Sequence, residues 1–296
     1  MLTTEQLELR KSGVGGSDVA PIVGLSQWKN PSDIYLEKRG EVEPEDISEK
    51  PIIIFGNMLE QVVADFYTRE TGEKLEKRNQ LIRHPKYPQL IANIDRKIVG
   101  RKAVFEAKTA DKYTAHKWGE DGSDEVPEAY RCQIEHYFNV TGYDEGVLAV
   151  LIGGNEFRQY PIQRNPELSE MLMEECLKFW ERVEKGFPPE LDYEHKTALD
   201  TLKRMYPGTD GSTIELPAEL VHWHHVRVAA AKEISALSTT VDVCKAHILE
   251  AMGESAVGKL SGIGQQYKRS EVQKKEYTVD ATSYMTMRGS AIRKAK

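Results

Sequence analysis

The sequence predicts an α/β fold with a mainly helical C-terminal appendage. Three observations predict it. Capped helical segments alternate with β-like segments over the first two thirds of the chain. Two apolar stretches flank Gly153-Gly154-Asn155 as the arms of a hairpin. From about residue 190 the pattern gives way to an irregular stretch and then one long run rich in Ala, Val and Leu.

Taken in order, the N-terminal stretch ends in a glycine cluster, Gly13-Val14-Gly15-Gly16-Ser17-Asp18, and residues 19–25 read as a short helix. Pro31-Ser32-Asp33 opens a second helix with proline in its first turn. Residues 41–51 are acidic and read as a loop. Residues 57–71 form a helix that Gly72 caps. Residues 90–99 and 103–109 are β-like around a turn at 100–102, and 119–126 is a polar loop. Pro127 starts a helix to Val140, stopped by Gly142. Residues 145–152 form a buried strand that pairs with 156–162. Asn165-Pro166 caps a helix to Lys185, ended by Gly186. Residues 190–216 read as irregular, 217–252 as a long helix and 253–277 as β-like pieces before a loose end. A boundary near 190–210 divides a catalytic body, 1–200, from a helical extension, 201–296.

The 296 residues are 40% hydrophobic and 29% charged, as in soluble globular proteins. The longest apolar run, Val147 to Ile152, falls far short of the ~20 residues of a membrane helix. The first residues are acidic and polar where a secretory leader is apolar. Cys132, Cys176 and Cys244 are odd in number and scattered, so a reducing cytoplasm is the expected setting. Residues 201–296 hold 14 basic and 10 acidic side chains, and residues 1–200 hold 26 and 37. An acidic body argues against coating nucleic acid through clustered positive charge. It is compatible with a metal-dependent phosphodiesterase, which needs concentrated carboxylates. The basic tail (Lys268, Arg269, Lys274, Lys275, Arg288, Arg293, Lys294, Lys296) reads first as a solvated end.

The segments that carry chemistry are Asn93-Ile94-Asp95 and Glu106-Ala107-Lys108. Alternation along a strand puts Glu106 and Lys108 on one face and Phe105, Ala107 and Thr109 on the other. Asp95, across the hairpin, would set a second carboxylate beside Glu106. Two close carboxylates repel unless a cation lies between them, and a hard ion such as Mg²⁺ suits them. A lysine there can act on water or on phosphate charge. A solvated hairpin edge with a Glu–Lys pair fits the same triplet. Two helices tip the reading toward a metal site. Glu60 shares an otherwise apolar face with Val63, Ala64 and Tyr67, and Gln133 shares one with Tyr130, Ile134 and Tyr137. Gly15-Gly16-Ser17 is a phosphate cradle or a flexible turn with Ser17 as helix cap. It lacks the Gly-Lys-Ser/Thr ending of a nucleotide P-loop.

Gly-Gly-Ser-Asp (15–18), Gly-x-x-x-Glu (56–60), Asn-x-Asp (93–95), Glu-x-Lys (106–108) and Pro-x-x-Tyr-x-x-Gln-x-x-x-Tyr (127–137) stand in that order. Over residues 8–190 this arrangement resembles the YqaJ-type viral recombinases, the lambda-exonuclease-like branch of the PD-(D/E)XK nucleases. The resemblance implies a central mixed sheet flanked by helices. It implies a Mg²⁺- or Mn²⁺-dependent 5′→3′ exonuclease on double-stranded DNA ends, leaving a 3′ strand for a phage single-strand annealing protein. By the same resemblance Asp95 and Glu106 are metal ligands with the Ala107 carbonyl, and Glu60 completes the acidic site directly or through water. Lys108 acts on the nucleophilic water, and Gln133 orients it or holds a phosphate. Arg10, Ser17 and Asn93 grip the 5′-phosphate. A ring-shaped homo-trimer in the cytoplasm of a bacterial host, encoded by phage or prophage, completes the expectation.

The sequence departs from the family at Ile94, where proline is usual. The resemblance does not reach residues beyond ~200. His222, His224 and His225 do not converge on one helix face, so they read as solvated. An endonuclease of the same superfamily and a catalytically silent DNA-binding or assembly protein are the alternatives. Iron–sulfur relatives are disfavoured by the three scattered cysteines.

Overall fold

A computed structural model describes residues 4–78 and 80–271. The chain forms two compact units, Met1–Pro207 and Gly208–Lys296. The first unit opens with four helices, α1 (Thr4–Lys11), α2 (Gly16–Ile22), α3 (Pro31–Arg39) and α4 (Pro51–Thr71). Five strands follow: β1 (Leu75–Lys77), β2 (Ile82–Arg83), β3 (Ile91–Ala92), β4 (Arg96–Ile98) and β5 (Ala103–Ala110). After a 3₁₀ turn at Lys112–Lys117 come α5 (Glu128–Thr141), β6 (Glu145–Ile152), β7 (Glu156–Gln163), α6 (Pro166–Lys185) and α7 (Ala198–Met205). The second unit holds α8 (Leu220–Met252) and a hairpin of β8 (Val257–Leu260) and β9 (Gln265–Lys268).

The main sheet runs β1-β4-β5-β6-β7, with β5 in the middle. β5 and β6 are parallel, from Ala103 opposite Glu145 to Ala110 opposite Ile152, and every other pairing is antiparallel. A parallel pair needs a long crossover, and α5 supplies it. Val63, Ala64 and Tyr67 of α4 cover one face, against Phe105, Ala107 and Val147. Residues from α2, α3, α5 and α6 cover the other, against Val104, Leu148 and Val150. The sheet is therefore central, mixed and flanked by helices, as the family resemblance implied.

Several expected boundaries move. α4 starts at Pro51, six residues ahead of Asn57, because proline fits a first helical turn whose N–H groups need no partner. α2 starts at Gly16, because the Asp18 carboxylate accepts from the Gly15 N–H at 2.8 Å and closes the turn early. Residues 90–99 are not one strand. Ile91 and Ala92 pair with β2, and Arg96 and Lys97 pair with β5, so the chain changes sheets at Asn93–Asp95. The stretch 190–216, read as irregular, contains α7. Its order comes from tertiary bonds rather than its own pattern: buried Thr201 takes Asn30 Nδ2 at 2.8 Å and reaches Asp33 Oδ1 at 2.7 Å. α7 thus belongs to the first unit. Of the basic tail only Lys268 and Arg269 lie within the described residues, as does the β-like stretch only to 271. Among the described residues no helix is long and apolar enough to cross a membrane.

Candidate active site

β5 has neighbours on both sides, so its side chains have fixed positions. Its alternation sends Phe105 and Ala107 into the α4 layer and Glu106 and Lys108 to the α5 side. The antiparallel register of Arg96 with Phe105, continued by one residue, sets Asp95 opposite Glu106. Asp95 Oδ2 accepts from the Ala107 backbone N–H at 3.1 Å. Burial, then the Glu106 charge, push the Asp95 carboxyl up to about 8, against the pull of Lys108.

Glu106 is 3% exposed. Its Oε1 accepts from Lys108 Nζ at 2.6 Å and from Gln133 Nε2 at 2.8 Å. Its Oε2 is buried and has no hydrogen-bond partner. Burial lowers the Lys108 ammonium, but Glu106 and then Asp95 outweigh it and leave it raised, so it carries its proton at neutral pH. Lys108 Nζ also sits over the Tyr130 ring, 5.0 Å from the centroid. Gln133 donates to Tyr137 Oη as well, at 2.7 Å. Burial and the two carboxylates hold that phenol well above its ordinary range.

The facing wall comes from the N-terminal glycine segment. Val14 bridges Leu90, with Val14 N to Gln89 O at 2.7 Å and Ile91 N to Val14 O at 2.9 Å, which carries Gly15–Ser17 to the site. Gly16 packs so closely that an added Cβ would lie 2.6 Å from Tyr137 Cε1. Arg10 Nη2 donates to Ser17 Oγ at 3.2 Å. Behind the wall Asp18 pairs with Lys38 at 2.6 Å; burial raises its carboxyl, and Lys38 more than offsets this. Buried His136 on α5 holds the other edge, with Nε2 2.9 Å from the Ile91 carbonyl.

These walls enclose a cavity of about 250 Å³ lined by Arg10, Gly15, Gly16, Ser17, Asn93, Asp95, Glu106, Gln133 and Tyr137, among others. The structure thus gathers Arg10, Ser17, Asn93, Asp95, Glu106 and Gln133 at one place, with Lys108 and Ala107 bonded to its carboxylates. Glu60 is turned elsewhere. It accepts from buried Arg96 at 2.7 Å, while Gln61 takes the other guanidinium nitrogen at 2.9 Å, although the Glu60 charge still bears on Asp95. Among the described residues no three His, Cys, Asp or Glu side chains form a metal cage. The donor set is two carboxylates, one with an orphaned oxygen. That sparse oxygen set fits a hard divalent ion that keeps water and phosphate in its shell. Motif reasoning passed over Lys38 and Arg96, which no local spacing reveals. It named Tyr130 and Tyr137 only as neighbours of Gln133, although their i−3 and i+4 positions were signal enough.

Glu106 and Lys108 on the middle strand, with Asp95 just ahead of β4 beside them, thus sit on a helix-flanked mixed sheet, and the α/β fold is shared with solved structures. The alkaline exonuclease LHK-Exo from Laribacter hongkongensis superposes with a TM-score of 0.52 at 18% identity, covering 62% of this chain and 94% of that one. Its complex with dAMP gives 0.52 at 19% over the same shares. The chain belongs to the YqaJ-like viral recombinase family. The YqaJ-like viral recombinase domain model matches residues 5–144. The uncharacterized protein YqaJ of Bacillus subtilis (strain 168) is 38% identical over 222 residues, 74% of this chain and 68% of the relative.

Proposed function

We propose that this protein is a Mg²⁺- or Mn²⁺-dependent deoxyribonuclease that degrades linear duplex DNA from 5′ ends and leaves 3′ single strands. The observation that carries the reading is the one cavity with Asp95 and Glu106 on one wall and Arg10 and Ser17 on the other. Cutting at a chain end needs an anion grip next to a hydrolytic centre, and these walls have those chemistries. Asp95, Glu106 and the Ala107 carbonyl would hold the ion, with Glu60 reaching it through water after release from Arg96. Bound there, the ion supplies Lewis acidity toward phosphate and a more acidic water.

The remaining work falls to side chains. Lys108, held as an ammonium by Glu106 and Asp95, acts as a donor that orients the attacking water and meets charge growing on the phosphate. Gln133 keeps Glu106 Oε1 in place and presents its amide to the same space. Arg10, Ser17 and Asn93 grip the terminal 5′-phosphate, the guanidinium through charge-assisted bonds. The 3′ strand left behind is the substrate of a phage-type single-strand annealing protein, in the cytoplasm of a bacterial host. A ring of three copies would keep the enzyme on its duplex.

End-labelled linear duplex, with and without Mg²⁺, tests this. Mononucleotides released from the 5′ end only with Mg²⁺ support the reading. Digestion of closed circular DNA would make the enzyme an endonuclease. No digestion, with no Mg²⁺ binding by calorimetry, would leave a silent DNA-binding or assembly protein.

A further inference from the structure

Two short pieces of chain meet beside the cavity, and neither is long enough to hold itself there. The glycine segment joins the β3 side through one bridge, Val14 with Leu90, rather than through a ladder. β3 is two residues long and pairs with the two residues of β2. From Val14 the chain runs on into Gly15, Gly16 and Ser17, and from Ile91 into Asn93 and Asp95. The junction of Val14 with Ile91 therefore sets how far the Ser17 wall stands from the Asn93 wall.

His136 stands behind that junction. It is 1% exposed, and its Nε2 lies 2.9 Å from the carbonyl of Ile91, whose own N–H donates to Val14 O at 2.9 Å. A neutral ring has one N–H, and the nitrogen that faces a carbonyl carries it. Nδ1 is then bare, and it is buried with no hydrogen-bond partner among the described residues. Burial holds the imidazole below its ordinary value, against the Ile91 and Val14 carbonyls, so the ring is neutral with its one donor committed to Ile91. An apolar side chain would fill this space without stranding a nitrogen. Local rules are broken in this way mainly at functional sites. His136 and Gln133 are three residues apart on α5 and share a face of it. Gln133 holds Glu106 at 2.8 Å. One helix thus fixes both the hydrolytic carboxylate and the junction of the two walls.

We infer that His136, which does not line the cavity, is a positioning residue for the end grip. By fixing Ile91, and Val14 through it, the ring sets the separation of Ser17 from Asn93 and with it the preference for a 5′-phosphate. The inference rests on the proposed end-directed cleavage and adds a residue that governs which ends are taken.

The two amide mimics of the ring test this. A Gln amide nitrogen falls near Nε2, and the shorter Asn amide falls near Nδ1, which has no partner. The full chain is assayed with Mg²⁺ on linear duplex bearing 5′-phosphate or 5′-hydroxyl ends. Wild type and His136→Gln should prefer the phosphorylated ends. In His136→Asn that preference in kcat/KM should fall by on the order of ten- to 100-fold, as a displacement of about 1 Å can bring. The loss should lie in KM for phosphorylated ends. Amide hydrogen exchange at Val14 and Ile91 should quicken in the same variant, a readout that needs no nuclease activity. If His136→Asn does not fold, His136→Met, which fills the space without a donor, takes its place. An unchanged preference, unchanged exchange, or equal losses on both kinds of end overturns the role of His136 and leaves end-directed cleavage standing. Wild type that cuts both kinds of end alike overturns the end grip itself, and this inference with it.

Discussion

Lys108 Nζ lies 2.6 Å from Glu106 Oε1, while the second oxygen of that carboxylate is buried with nothing bonded to it. One half of the Glu106 carboxylate is thus neutralised from within the protein, and the other half is left without a hydrogen-bond partner. Lys108→Ala should retain a wild-type circular dichroism spectrum and DNA binding. Cleavage should fall by about 10²–10³, the loss on removing one preorganised donor to transition-state charge. Single-turnover digestion of linear duplex checks this, and a wild-type rate would refute the role given to Lys108.

Gln133 donates to Glu106 and to Tyr137 at once. Gln133→Leu keeps most of the volume but leaves a buried carboxylate and a buried phenol each short of a partner, costing about 1–3 kcal/mol. The expected result is a lower melting temperature together with slower cleavage. Tyr137→Phe, which removes only the phenol oxygen, should be milder in both measurements.

The Asp18–Lys38 pair predicts a pH dependence of stability. The folded-state carboxyl lies below its ordinary value of 3.8, so the pair stabilises the fold above about pH 4 and loses that contribution as pH falls through the folded-state value. Lys38→Met strands a buried carboxylate and should cost about 3 kcal/mol in urea unfolding at neutral pH. The gap between wild type and this variant should narrow near pH 3, and a constant gap would count against the pair.

Gly16→Ala pushes a methyl to 2.6 Å from the Tyr137 ring and 3.0 Å from Gln133 Cγ. The two side chains that must yield are the ones holding Glu106 in place. Overpacking of this kind costs roughly 1–3 kcal/mol, and cleavage should fall with stability. A thermal melt and a digestion assay on one preparation check both.

The α3–α7 contact predicts where the first unit can be cut. Truncation after Pro207 keeps Thr201, which bonds Asn30 and Asp33, and Arg204, which reaches Asp33 Oδ1 at 3.2 Å. Truncation after Asp200 removes both and exposes Asn30 and Asp33, which are otherwise buried. The shorter fragment should melt lower; equal melting would show that α7 contributes nothing to the unit.

What the sequence revealed was whatever local chemistry dictates. Gly72 and Gly142 end α4 and α5 with φ of 74° and 70°, and Asn165 caps α6 by accepting from Leu168 N at 3.1 Å. Period-two alternation separated Glu106 and Lys108 from Phe105 and Ala107. Hidden features were those set by distant partners. Nothing near Asn93 announces that the chain leaves one sheet for another there, because the ladders that decide it are β2 and β5. α7 is eight residues held by bonds to α3, over 160 positions away. Glu60 was expected beside Asp95 because its helical face is apolar, but Arg96, buried on the next strand, captures it.

β5, which carries Glu106 and Lys108, is hydrogen-bonded along both edges and lies innermost of five strands. Amide protons on such a strand exchange with solvent only through the largest openings of the fold. The reactive groups therefore sit on the last segment to come apart on heating. Loss of activity with temperature should follow cooperative collapse of the whole first unit rather than fraying at the cavity rim, and deuterium uptake at 104–108 should trail every other segment.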